Sequence, residues 1–132
     1  MLRTIFVWLA MLPALLVAQP DFPLFSDGQR VVFLGNSITH GGFYHPYIHL
    51  YYLTRFPDRR VEMFNAGVAG HQAFHGIDRL ETDVLVHEPD VVVVMFGMND
   101  AGVGVNPEGT EAEKQAKLDE RIATYRQNMD SL

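Results

Sequence analysis

Residues 90–97, Asp-Val-Val-Val-Val-Met-Phe-Gly, constrain the fold more than any other stretch of this chain. A short run that is apolar on both faces needs cover on each side, and parallel sheets obtain that cover from crossover helices. Set off by Pro89 before it and Gly97 at its end, it is the clearest strand in the chain. The remaining sequence supplies the alternation that such a sheet requires. Arg30-Val-Val-Phe-Leu-Gly35 reads as an earlier buried strand, and Val61-Glu-Met-Phe-Asn65 as one that alternates weakly. Between them, Tyr47, Leu50, Tyr51 and Phe56 recur at helical spacing across residues 44–56, and Pro57 closes that helix. Ile77, Leu80, Val84 and Leu85 mark a second helix over 76–86, ended by Pro89. Residues 102–109 form a Gly/Pro/Asn loop. Residues 111–132 hold good helix formers, with Leu118, Ile122, Tyr125 and Met129 on one buried face. The order β-α-β-α-β-α, with connections long enough for right-handed crossovers, predicts a three-layer α/β/α parallel sheet.

Residues 1–18, MLRTIFVWLAMLPALLVA, carry Arg3 and then an apolar run broken by Pro13, the pattern of a secretory signal. The run is too short and too interrupted for a membrane span. Cleavage is expected after Ala18, although Leu16 fits poorly where a small residue is usual. Residues 19–29 form a Pro/Asp-rich lead, and the domain runs over 30–132. At 132 residues, 48% hydrophobic and 20% charged, the chain has the balance of one ordinary globular domain. Ten Lys and Arg against sixteen Asp and Glu give a formal charge of −6, which argues against nucleic-acid binding. The absence of cysteine excludes disulfides, thiolate nucleophiles and thiolate zinc sites.

Ligands of such sheets sit outside the carboxyl ends of the strands. There this sequence places Gly35-Asn36-Ser37-Ile38-Thr39, Asn65-Ala66-Gly67-Val68-Ala69-Gly70 and Gly97-Met98-Asn99-Asp100. Taken singly, each segment reads equally well as a turn. Together they hold what acyl transfer needs: a hydroxyl at a helix start in Ser37, a backbone amide free of a Cβ at Gly70, and a neutral amide donor in Asn99.

These three segments resemble, in order, the first three conserved blocks of the SGNH (GDSL-type) hydrolases, over about Arg30 to Asp100. The family comprises esterases, lipases, thioesterases and carbohydrate deacetylases with a flavodoxin-like fold. The resemblance implies sheet order 2-1-3, Ser37 as nucleophile, and an oxyanion held by the Ser37 amide, the Gly70 amide and the Asn99 side chain. Asn36, His40, His71 and Asp100 are candidates to line the substrate pocket. Small-molecule, polysaccharide or lipid esters are the implied substrates, with no metal or organic cofactor.

Two features depart from the family pattern. Asn36 stands where the first block usually has Asp, a near-isosteric change that keeps a local hydrogen-bonding role and loses the charge. No Asp-x-x-His occurs in these residues, so the block that supplies the general base and its orienting acid is missing. Residues 125–132 carry no C-cap signal, Gly or Pro, and are expected to continue as helix into a longer enzyme. The third strand is expected to keep an exposed apolar edge.

Other readings compete with this one. His45/His49 and His71/His75 are spaced four apart. No His-Glu-x-x-His accompanies them, and Pro46 follows His45, so no metal site is expected. His40, His71 and His75 fall in loops beside Ser37, and one of them could stand in for the missing base. Phe43, Tyr44, Tyr47, Tyr51 and Tyr52 read as core and cover, and the mixed charges of 111–126 as a solvated face. Gly-x-Gly-x-x-Gly after the first strand, Gly-x4-Gly-Lys and Gly-x-Ser-x-Gly are all missing. The alternative from another class is a non-catalytic α/β binding domain, or a degenerate esterase without its base.

Overall fold

The computed structural model describes residues 24–102 and 108–132. The expected signal segment, residues 19–23 of the lead and the 103–107 part of the Gly/Pro/Asn loop lie outside the described residues. Three strands, β1 (Arg30–Gly35), β2 (Glu62–Gly67) and β3 (Val91–Met95), form one parallel sheet in the order β2-β1-β3. In register, Phe33 of β1 lies opposite Asn65 on one side and Val93 on the other. Parallel neighbours require crossovers. Helices α1 (Ser37–His40) and α2 (His45–Arg55) link β1 to β2. Helices α3 (Ala73–Asp78) and α4 (Leu80–Asp83), with a 3-10 turn at Leu85–His87, link β2 to β3. Helices α5 (Met98–Ala101) and α6 (Glu111–Asp130) follow.

The central strand is β1, and Val31, Val32, Phe33 and Leu34 are all fully buried. Successive strand residues point to opposite faces, so these four seed two cores. Val31 and Phe33 join Phe25, Tyr52 and Val61, with Ile48, Val91 and Val93 at the margin. Val32 and Leu34 join Ala66 and Val84, with Leu80, Phe96 and Leu132 at the margin. Helix α2 therefore covers one face of the sheet, while α4 and the end of α6 cover the other. Each such side chain contributes about 1.5–3 kcal/mol by leaving water. The Tyr52 hydroxyl also accepts the Phe25 amide at 2.6 Å, which ties the segment before β1 to α2.

Five expectations need correction. The valine run of β3 is not covered on both faces: Val92 and Val94 are 38% and 37% exposed. The reason is that the second core sits over β1 and β2, while β3 stands at the sheet edge. The single helix expected over 76–86 is broken twice. Arg79, at φ −113° and ψ 14°, separates α3 from α4, and the 3-10 turn ends on Glu88 at φ 48°. Of the five aromatics at 43–52, Tyr52 is buried and Tyr44 packs at the core margin, whereas Phe43, Tyr47 and Tyr51 are exposed. In α6 no residue is buried, and Leu118 and Ile122 are more than a third exposed. That helix starts on a capping box. The Thr110 hydroxyl accepts the Glu113 amide, and the Glu113 carboxylate accepts the Thr110 amide at 2.7 Å, which holds that carboxyl below its ordinary range. It ends at Asp130, short of the expected run to Leu132. Among the described residues, no helix is long and apolar enough to cross a membrane.

Candidate active site

The register brings Gly35, Gly67 and Met95 side by side at one edge of the sheet, so the polar segments after all three strands start from a common line. Ser37 opens α1 and is exposed, and its hydroxyl has no side-chain partner among the described residues. Directly before it, Asn36 is 2% exposed. The Asn36 side-chain oxygen accepts the Ile38 amide at 3.1 Å, and its carbonyl accepts the His40 amide at 2.9 Å. A neutral amide oxygen thus performs the helix-capping role that an aspartate could equally fill.

Beneath this turn, the Gly35 carbonyl accepts two donors: the Val68 amide at 3.0 Å and the Arg79 guanidinium at 3.1 Å. Arg79 is buried, pairs with Asp83 at 3.0 Å and keeps a buried Nε without a partner. That hydrogen bond, seconded by Thr82, holds the Asp83 carboxyl below its ordinary value. Sequence reasoning missed Arg79, because a lone arginine within a helical stripe carries no mark of inward orientation. The β2 loop packs tightly on the first block. A Cβ at Gly67 would lie 2.6 Å from the Thr39 carbonyl carbon, so only glycine fits there. Gly70 is demanded by conformation instead, with φ +81° and open space around it.

The second and third segments are joined directly. The Asn99 side-chain amide donates to the His71 carbonyl at 2.8 Å, and the Gln72 side-chain amide donates to the Asn99 carbonyl at 2.8 Å. Asp100 is buried, and its two carboxylate oxygens accept the Ala73 amide at 2.8 Å and the Gly97 amide at 3.0 Å. A primary amide has two hydrogens. With one engaged by His71, Asn99 keeps a second for a ligand. A cleft of about 550 Å³ opens beside Asn99, bordered by Gln72, Phe74, Asp100, Arg121 and Tyr125. Ser37 is not in its wall. The structure therefore bonds the Gly70 and Asn99 segments together, and ties the Ser37 turn to the β2 loop through the Gly35 carbonyl and His40.

The histidines are largely occupied by the fold. His40 Nδ1 lies 3.1 Å from the Gly67 carbonyl, His45 Nε2 lies 3.1 Å from the Thr39 carbonyl, and His75 Nδ1 accepts the Gln72 amide at 3.0 Å. His71 stacks on His75 at 4.4 Å, and its buried Nδ1 has no protein partner. Partial burial lowers its pKa, and the neighbouring His75 and Arg79 add to the effect, so the ring is neutral at neutral pH. Among the described residues, no group of three or more His, Asp or Glu side chains could hold a metal ion.

Comparison with known proteins adds an independent line. The profile of the GDSL-like lipase/acylhydrolase family matches residues 33–131. Among solved structures, the chain is similar to a gut microbial diltiazem-metabolizing enzyme, with 39% identity and a TM-score of 0.73. That match covers 81% of this chain and 24% of the other. It is also similar to an acetylxylan esterase from Geobacillus stearothermophilus, with 29% identity, a TM-score of 0.59, and coverage of 77% of this chain and 53% of the other. Catalytic mutants of that esterase, altered at a serine, an aspartate or a histidine, match as well. An α/β hydrolase from the metagenome of Lake Arreo, Spain, matches at 25% identity and a TM-score of 0.55, over 79% of this chain and 58% of the other. The chain thus spans about a quarter of the first and little more than half of the other two. No curated protein matches it.

Proposed function

The chain belongs to the GDSL-like lipase/acylhydrolase family, and from that premise we propose that it carries the nucleophile and the oxyanion donors of a secreted serine ester hydrolase. The Ser37 hydroxyl attacks the ester carbonyl carbon while its proton passes to a histidine base. The resulting oxyanion is received by the amides of Ser37 and Gly70 and by the free Nδ2 hydrogen of Asn99. Collapse expels the alcohol and leaves an acyl-Ser37, which water then hydrolyses to the acid and free enzyme. The base and its orienting aspartate are those of the family's Asp-x-x-His block, which residues 1–132 do not contain. No metal or organic cofactor takes part in this scheme.

The observation that carries this reading is the alignment of three strand ends that bear Ser37, Gly70 and Asn99, with the Ser37 hydroxyl exposed and one Asn99 hydrogen unengaged. His40 and His71 stand around that edge as pocket residues, with Asn36 buried beneath it as the cap of α1. The substrate class is a small-molecule, saccharide or lipid ester, in keeping with the chemistry named for the solved relatives. Residues 1–18 direct export. The test is hydrolysis of a simple aryl acetate by the full-length protein and its variants. Turnover should be lost with Ser37→Ala and fall about 100- to 1000-fold with Asn99→Ala. Unchanged turnover in Ser37→Ala overturns the mechanism, and an inert wild type leaves a non-catalytic binding domain.

A further inference from the structure

The segment at 97–100 and the start of α3 lie 27 residues apart, yet three hydrogen bonds join them. At the base of this junction is the buried Asp100. Ala73 begins α3 and Gly97 immediately precedes α5, so neither amide has a partner within its own helix. Both point at one carboxylate, at 2.8 and 3.0 Å. Meeting two converging N–H donors takes two acceptors on a short side chain. Aspartate supplies them, whereas asparagine would turn one NH2 group toward an amide hydrogen. We propose that Asp100 is a positioning residue for ester hydrolysis, one that holds the Asn99 segment against residues 71–73 so that the Asn99 amide is aimed before substrate arrives.

This inference rests on the esterase reading and deepens it. The chain of contacts is continuous. Asp100 fixes Ala73 relative to Gly97, which sets the His71 carbonyl at bonding distance from Asn99 Nδ2 and the Gln72 side chain on the Asn99 carbonyl. One Nδ2 hydrogen is thereby anchored, and the direction of the other is defined with it. Charge argues for the same role. A carboxylate acting directly on the reaction would repel the developing oxyanion, so its contribution is geometric rather than electrostatic. The two arguments predict opposite signs on neutralisation: geometry predicts that Asp100→Asn lowers turnover, and repulsion alone predicts that it raises it.

The experiment is a double-mutant cycle on the full-length protein. Aryl acetate turnover is divided by the number of Ser37 sites titrated with an organophosphonate, so that only folded, reactive molecules count. Asp100→Asn should lower kcat per site about tenfold or more with KM changed less than about twofold, and Asp100→Asn combined with Asn99→Ala should fall within about twofold of Asn99→Ala alone. Additive losses, or a kcat that stays level or rises in Asp100→Asn, overturn the inference while the esterase reading stands. Should Asp100→Asn fail to fold, Gln72→Leu removes the bond to the Asn99 carbonyl and leaves Asp100 in place. It should lower kcat about threefold, and that loss should vanish in the Asn99→Ala background, with additivity again the contrary result. A wild type that neither reacts with the probe nor turns over removes the esterase reading and this inference together.

Discussion

β1 and β3 lie side by side, and each delivers part of the candidate site, but they hold their cargo in opposite ways. In β1 the strand is buried: four consecutive apolar residues are fully covered, and the exposed Ser37 follows on a single capped turn. In β3 the strand is half-covered and the loop is tied: Val92 and Val94 are more than a third exposed, while Asp100 is buried and Asn99 is bonded on its side chain and its backbone. A residue after a strand can thus be placed either by burying the strand or by cross-bonding the loop. Ser37, the proposed nucleophile, stays exposed and relies chiefly on the first means, whereas Asn99, the proposed amide donor, relies on the second.

Stability measurements can break or sharpen this contrast. The largest effect belongs to β1, where Phe33→Ala should cost about 3–5 kcal/mol in urea unfolding. A cost below about 1 kcal/mol would show that β1 is not the anchor. Next comes the tied loop. Asp100→Ala strands two amides and should cost about 2–6 kcal/mol, at about 1–3 for each unsatisfied donor. A third test lies in the open face of β3, where Val94→Thr should change stability by less than about 1 kcal/mol. A loss rivalling that of Phe33→Ala would mean that Val94 is covered in solution.

The smallest effect is the pH dependence. Both His71 and Asp83 have folded pKa values below their ordinary ones, so the folded state binds fewer protons than the unfolded chain and stability rises with pH. The His71 contribution is complete above 6.5 and is lost as pH falls from there through its folded value. That of Asp83 is complete above 3.8 and is lost lower still. The Tm should therefore decline gently in two steps on acidification. His71→Phe should remove the first step and Asp83→Asn the second, and a first step that survives His71→Phe would contradict the assignment.

Much of this layout is legible in the residues themselves. The strand runs and their polar ends follow from alternation and composition, and Asn36 has the chemistry of a helix cap. The sheet order is different: periodicity cannot choose a strand's neighbours, and the 2-1-3 expectation came from the family resemblance, later matched by the pairing. Hydrophobicity alone did not separate the two strands. Both runs read as buried, but burial depends on where the helices land, and the second core sits over β1 and β2. Residues 76–86 carry one apolar stripe, yet Arg79 turns inward to the Gly35 carbonyl, 44 residues back, and the helix breaks there. Asp100 is the same lesson at the site. Its bond to Ala73 spans 27 residues and leaves no local signature, so the tie it makes is visible only once the chain is folded, beside the cleft that it also borders.

The central claim is that Ser37 is the nucleophile, and covalent capture tests it most directly. The full-length protein is treated with an organophosphonate, digested, and the adduct is located by mass spectrometry. The account predicts one phosphonyl group per chain on Ser37, absent after Ser37→Ala and excluded by an excess of ester substrate. An adduct on another residue, or none in a folded protein, would contradict it.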